Sequence, residues 1–122
     1  MFTYSATVIR WIDGDTVDLE IDLGFKIAVK DRFRLYGIDT PELRPKKANF
    51  DTEEERREEI RKADAALAFC EKQVPVGSTV VVKTFKDAQG KYGRWLANVS
   101  LPNGDIINEM LVKEGLAKLA SY

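Results

Sequence analysis

The sequence predicts a mixed α and β fold, mainly β: a five-stranded barrel of the OB type with two helices, in the order β-β-β-α-β-β-α. Three observations predict it. Apolar residues alternate with charged ones from Val17 to Leu35, a capped amphipathic helix follows, and two further strands precede a second helix. Strands this short, interrupted by a helix after the third, suit a curved barrel better than a parallel α/β sheet. With 122 residues the chain is expected to form one domain over 1–122, with a single core and no need of a disulfide or structural metal.

Thr7 to Ile12 reads as a β-branched strand and Asp13-Gly14-Asp15-Thr16 as the turn after it. Val17, Leu19 and Ile21 then alternate with Asp18, Glu20 and Asp22. After a turn at Leu23-Gly24, Phe25, Ile27, Val29, Phe33 and Leu35 alternate with Lys26, Lys30, Arg32 and Arg34. If both apolar sets face one core, odd residues must pair with odd, for example Leu19 near Val29 and Asp18 near Lys30. That register makes Asp15 and Arg34 neighbours.

Residues 43–51 form a basic loop without periodicity, read either as a solvated connector or as a phosphate contact through Arg44, Lys46 and Lys47. Thr52 and Glu55 make a capping box, and Ile60, Ala63, Leu67, Cys70 and Val74 form the apolar stripe of the helix it starts. Pro75 and Gly77 end that helix. Thr79–Phe85 and Arg94–Leu101 are the last two strands, with a loop over 86–93 between them. Asn103-Gly104 is a hairpin signal, and Ile107–Glu114 is a short helix with Met110 and Leu111 inward and Gly115 as its stop.

Composition excludes whole classes of chemistry. The chain has no histidine, which removes Ser-His-Asp and Cys-His hydrolases, histidine-bound zinc and any imidazole base. A single cysteine, Cys70, excludes an internal disulfide and a thiolate zinc cluster, and it reads as a core packer. An enzyme of this composition works with carboxylates and arginines. The net charge of −1 decides nothing, because residues 51–62 alone hold six acids and four bases. Met1–Ser5 runs straight into strand-like sequence and no apolar run could span a bilayer. A cytoplasmic monomer without a membrane partner is therefore expected for the chain as given, a secreted longer precursor being left open.

The chemistry should gather at Phe33 to Glu42, where a strand ends in Asp39-Thr40-Pro41-Glu42. Gly37 lets that strand bend and Pro41 cannot join a ladder, so Asp39, Thr40 and Glu42 project from its end. Asp39 lies five residues past Arg34, roughly 17 Å if extended, so only a curled strand returns it beside Asp15. Taken singly, Asp15 could be a turn acceptor, Arg34 a partner for a β acid, and Glu42 a surface acid. Taken together, Asp15, Asp39 and Glu42 would crowd like charges without structural gain unless an ion joins them.

Asp13-Gly14-Asp15-Thr16-Val17, Phe33-Arg34-Leu35 through Asp39-Thr40-Pro41-Glu42, and Lys91-Tyr92-Gly93-Arg94 resemble the three motifs of the staphylococcal nuclease (thermonuclease) family. They occur in the family's order, and the resemblance runs from about Thr7 to Ala120. It implies an OB barrel and Ca²⁺-dependent hydrolysis of DNA and RNA, single-stranded or locally opened, leaving 3′-phosphate ends. By motif, Asp15, Asp39 and the Thr40 carbonyl would bind calcium, and Glu42 would position or deprotonate the attacking water. Arg34 and Arg94 would grip the phosphate, with Lys91 and Tyr92 on a terminal phosphate and Asp13 as support behind the metal. Oxygen donors suit a hard, loosely coordinated ion, and guanidinium forks suit a phosphate that gains charge in the transition state. The ending at Ser121-Tyr122 implies a short member without the family's last helix. The alternative is a non-catalytic OB module that binds nucleic acid or protein; a purely structural domain would bind neither metal nor nucleic acid.

Overall fold

Each of the first three strands buries one face and wets the other, and curling that buried face inward closes the sheet. The computed structural model describes residues 2–86 and 95–120. Its strands are β1 (Phe2–Asp13), β2 (Thr16–Gly24), β3 (Ile27–Leu35), β4 (Ile38–Asp39), β5 (Thr79–Lys86), β6 (Trp95–Ser100) and β7 (Lys118–Leu119). The helices are α1 (Glu53–Gln73) and α2 (Ile107–Lys113). Strands β1-β2-β3-β6-β5 form a closed barrel of the OB type, β5 pairing back on β1, and β4 and β7 make a small second sheet. Among the described residues only β3 and β6 pair in parallel, over Phe33–Leu35 and Trp95–Ala97.

Val8, Val17, Leu19, Leu35, Val80, Val82, Ala97 and Val99 fill the barrel, each essentially inaccessible to solvent. The parity expected between β2 and β3 holds, but the register is displaced by two residues: Leu19 pairs with Asp31 and Asp18 with Arg32. The acidic outer face of β2 therefore meets the basic face of β3 directly. Arg32 binds Asp18 at 2.8 Å and Arg10 adds a contact at 3.3 Å. Chiefly through the Arg32 hydrogen bond, the Asp18 carboxyl is held below the usual carboxylate range.

The sequence expectation fails at the far end of this hairpin. Phe25, Ile27 and Val29 do not face the core; they are 97%, 56% and 44% exposed. The β2–β3 hairpin outruns the barrel, so the inward parity continues with no core left beneath it. Asp31 stands on that same parity, exposed, and marks where the interior stops.

Helix α1 starts as its capping box predicts, with the Thr52 hydroxyl oxygen accepting from the Glu55 amide at 3.1 Å. In the reciprocal bond the Glu55 carboxylate accepts from the Asp51 amide, one residue before the cap. Ala63, Ala66, Cys70 and Val74 are buried, while Ile60 and Leu67 are only partly so. At the helix C-terminus the Trp11 indole donates to the Val74 carbonyl at 2.9 Å, pinning α1 to β1. Asn103-Gly104 does form a turn, but the chain beyond it makes one bridge to Ser100 and enters α2, so no hairpin forms. In α2 it is Ile107 and Leu111 that are fully buried, with Met110 at the margin.

Candidate active site

The site is built where the β1–β2 turn meets the end of β3. Asp13 turns the chain by accepting the Asp15 amide on its own carboxylate at 3.2 Å. The Asp15 carbonyl then accepts from the Leu35 amide at 2.8 Å, which locks the turn beside β3. After Leu35 the chain reverses at Gly37, whose φ of +77° is available to glycine at little cost. Ile38 and Asp39 run back as β4, so the curl that Asp39 needed is supplied by a turn within three residues of Arg34.

The result is a charged cluster at the mouth of the barrel. The Arg34 guanidinium lies 3.4 Å from the Asp15 carboxylate and also pairs with Asp39. Asp15 is buried, and its two oxygens accept from the Thr16 hydroxyl and the Thr40 amide, each at 3.2 Å. Burial, reinforced by the hydrogen bond and negative charge of Asp13, pushes the Asp15 carboxyl up to about 6 despite Arg34. A carboxylate in this position is short of positive charge. Beside it the Thr40 hydroxyl is buried without a hydrogen-bond partner.

The structure thus brings Asp13, Asp15, Arg34, Asp39 and Thr40 together. Glu42 lies two residues beyond, exposed, its amide donating to the Glu59 carboxylate of α1 at 3.2 Å. Lys46 and Lys47 are exposed on the following loop. Arg94, Lys91 and Tyr92 lie outside the described residues. Among the described residues no three acid or cysteine side chains stand together as an ion cage. The oxygens at hand are two carboxylates, Asp15 and Asp39, with the unpartnered hydroxyl of Thr40 beside them; that donor set and the under-neutralised Asp15 fit a hard cation that keeps several waters.

Three supporting features were not foreseen. Gly14 is pressed against α1 and Thr40: a Cβ there would stand 2.8 Å from the Ala66 methyl and 3.0 Å from the Thr40 methyl. The Cys70 thiol donates to the Gly14 carbonyl at 3.4 Å. Burial, then the nearby Asp15 and Asp13 charges, pushes that thiol far above its ordinary range, so it is an inert fastener. Asn108 on α2 is buried, accepts from Val99 N at 3.1 Å and donates to the Tyr36 and Ala97 carbonyls at 3.0 Å. It ties the end of β3 to β6. A lone asparagine between Ile107 and Leu111 on an apolar helix was the signal that could have found it.

The sequence model of the family described as Staphylococcal nuclease homologue matches residues 32–122. The chain belongs to this family. It is 34% identical over 118 residues to the thermonuclease of Staphylococcus intermedius, covering 97% of this chain and 61% of that protein. Against the thermonuclease of Staphylococcus hyicus it is 33% identical over 115 residues, 94% of this chain and 59% of the relative. The endonuclease YhcR of Bacillus subtilis (strain 168) matches at 29% over 114 residues, 93% of this chain but 9% of that protein. The chain thus spans about three fifths of the thermonucleases it matches and a small part of the Bacillus protein. Of the clustered residues, Arg34, Asp39 and Thr40 lie within the matched stretch, and Asp13 and Asp15 precede it.

Proposed function

We propose that the chain is a metal-dependent phosphodiesterase, a thermonuclease-like endonuclease that hydrolyses DNA and RNA with Ca²⁺ and leaves 3′-phosphate ends. The observation that carries this reading is the convergence of Asp15, Arg34, Asp39 and Thr40, distant in sequence, on one barrel mouth. Asp15 and Asp39, with the Thr40 carbonyl, would hold the ion. When bound it supplies positive charge against the phosphate oxygens as they gain charge. Arg34, already oriented by two carboxylates, turns its guanidinium to a phosphate and gains most where charge develops. Arg94 adds a second guanidinium, and Lys91 and Tyr92 hold the terminal phosphate. Glu42 accepts the proton of the attacking water, its backbone held by Glu59 so that the carboxylate is presented from a fixed point. Lys46 and Lys47 steer the single-stranded or locally opened substrate.

A second reading is favoured by one observation: Arg34 already pairs with both Asp15 and Asp39, so the charges are partly closed on themselves. It makes the chain a non-catalytic OB module that binds nucleic acid or protein. Cleavage of single-stranded DNA with calcium and with chelator, alongside Glu42→Ala and Arg94→Ala, separates the two. We expect calcium-dependent cleavage that drops by about 10²–10³ when a charge-stabilising arginine is removed. Binding without cleavage across a range of calcium and pH would replace the enzyme with the binding module.

A further inference from the structure

Strands β5 and β6 turn outward a face that the chemistry above does not use. Val80, Val82 and Thr84 of β5 and Ala97 and Val99 of β6 are buried toward the barrel, so Val81, Lys83, Phe85, Leu96 and Asn98 stand on its outside. Register joins this face to the candidate site. Leu96, itself buried, pairs with Arg34 on one side and with Phe85 on the other, which sets the three in one row across β3, β6 and β5. Tyr36 lies two residues past Arg34, about 7 Å along the strand, and still donates its amide to the Ala97 carbonyl at 2.9 Å. It therefore shares the outer face with Arg34.

Two features set this face apart. The Tyr36 ring is stacked on that of Phe85, with centroids 4.6 Å apart and planes 24° from parallel, and Tyr36 is 38% exposed. An aromatic pair held in this way is a rigid apolar surface that needs little ordering to receive a ligand. The charge, moreover, has one sign: β5 and β6 carry Lys83 and Lys86 and no acid. On the outer face of β2 and β3, by contrast, Asp18 already pairs with Arg10 and Arg32. Lys83 is exposed and stands two residues from Phe85, about 7 Å away on the same face.

We propose that Tyr36, Phe85 and Lys83 form a subsite for a nucleotide flanking the scissile phosphate: an unpaired base stacks on the Tyr36 and Phe85 rings, and Lys83 takes the phosphate beyond it. This subsite rests on the reading above of Arg34 as a phosphate-binding residue. From Arg34 through the ring pair to Lys83 the face runs cation, aromatic, cation, which matches the phosphate, base, phosphate order of a single strand. A duplex is selected against, because its bases keep their faces inside their own stack. The lack of acids on β5 and β6 and the continuity with Arg34 favour a polyanion over a protein partner.

Fluorescence anisotropy with a labelled oligothymidylate of about eight residues, in chelator so that nothing is cut, tests the subsite apart from cleavage. Tyr36→Leu and Phe85→Leu each keep an apolar side chain over the barrel, and each should weaken binding about 5- to 150-fold with the circular dichroism of the wild type. Lys83→Gln should lower the slope of log Kd against log salt by about 0.7, the mark of one lost phosphate contact on a single strand. An abasic residue placed at each position of the oligonucleotide in turn should cost the wild type affinity at one position. Against Tyr36→Leu the same oligonucleotide should lose nothing further. Variants that bind like the wild type, an abasic penalty that persists in Tyr36→Leu, or a wild type that does not bind single strands would each overturn the subsite. Calcium-dependent cleavage alongside such a result leaves the nuclease standing without it. The expected losses in a chain that never cleaves leave the subsite standing on a binding module.

Discussion

Asp15 is the residue on which the site's energetics turn. Its carboxyl is pushed up to about 6, so between roughly pH 4 and 6 the folded protein binds more protons than the unfolded chain. Stability contributed by that bound proton is complete below the ordinary aspartate range and is lost as pH rises through 6. Without metal, the wild type should therefore lose on the order of 2 kcal/mol relative to Asp15→Asn between pH 4 and pH 7.5. Urea unfolding of both proteins in chelator at the two pH values measures it. Equal pH dependence would mean that Asp15 is better solvated than its burial implies. Arg34→Lys keeps a charge beside Asp15 but loses the planar fork, and should lower cleavage about 100-fold with little loss of fold. At this scale the sequence was informative: Asp15, Arg34, Asp39 and Thr40 meet as their motifs and strand parity required. The order within the cluster was not legible, because the raised Asp15 depends on burial beneath α1, which no local pattern encodes.

At the scale of elements, the turn between β1 and β2 is held from behind by α1. Gly14 earns its place by the absence of a side chain, with Ala66 and Thr40 where a Cβ would go. Gly14→Ala should cost about 1–3 kcal/mol by overpacking, and should reduce activity as well because Thr40 must move. Chemical denaturation together with single-turnover cleavage checks both parts; an unchanged midpoint would show that α1 can shift freely. The first helix was read almost to the residue, since Thr52 and the three-four spacing act locally. The second hairpin strand was misread for an equally physical reason. Alternation tells which residues share a face, but not whether a core lies under it, and Asp31 on the apolar parity was the sign that it ends at Phe33.

For the whole molecule, closure rests on the short parallel pairing of β3 with β6 and on Asn108, which satisfies one amide and two carbonyls around that seam. Asn108→Ala leaves those groups buried and under-bonded, and should cost about 2–3 kcal/mol or more. Hydrogen exchange should show the Val99 amide losing protection before the β1–β2 ladder; uniform loss would place the seam elsewhere. Long-range closure of this kind leaves no trace in a single strand's pattern, so the barrel was legible only from the order of its elements. The buried thiol on α1 has a kinetic use. Cys70 is fully inaccessible and hydrogen-bonded to Gly14, so a thiol reagent can reach it only when the helix lifts from the β1–β2 turn. Its labelling half-life in the native protein is thus a stopwatch for that lifting, readable without substrate, and one that should run slower whenever a ligand clamps Thr40 and Asp15 together.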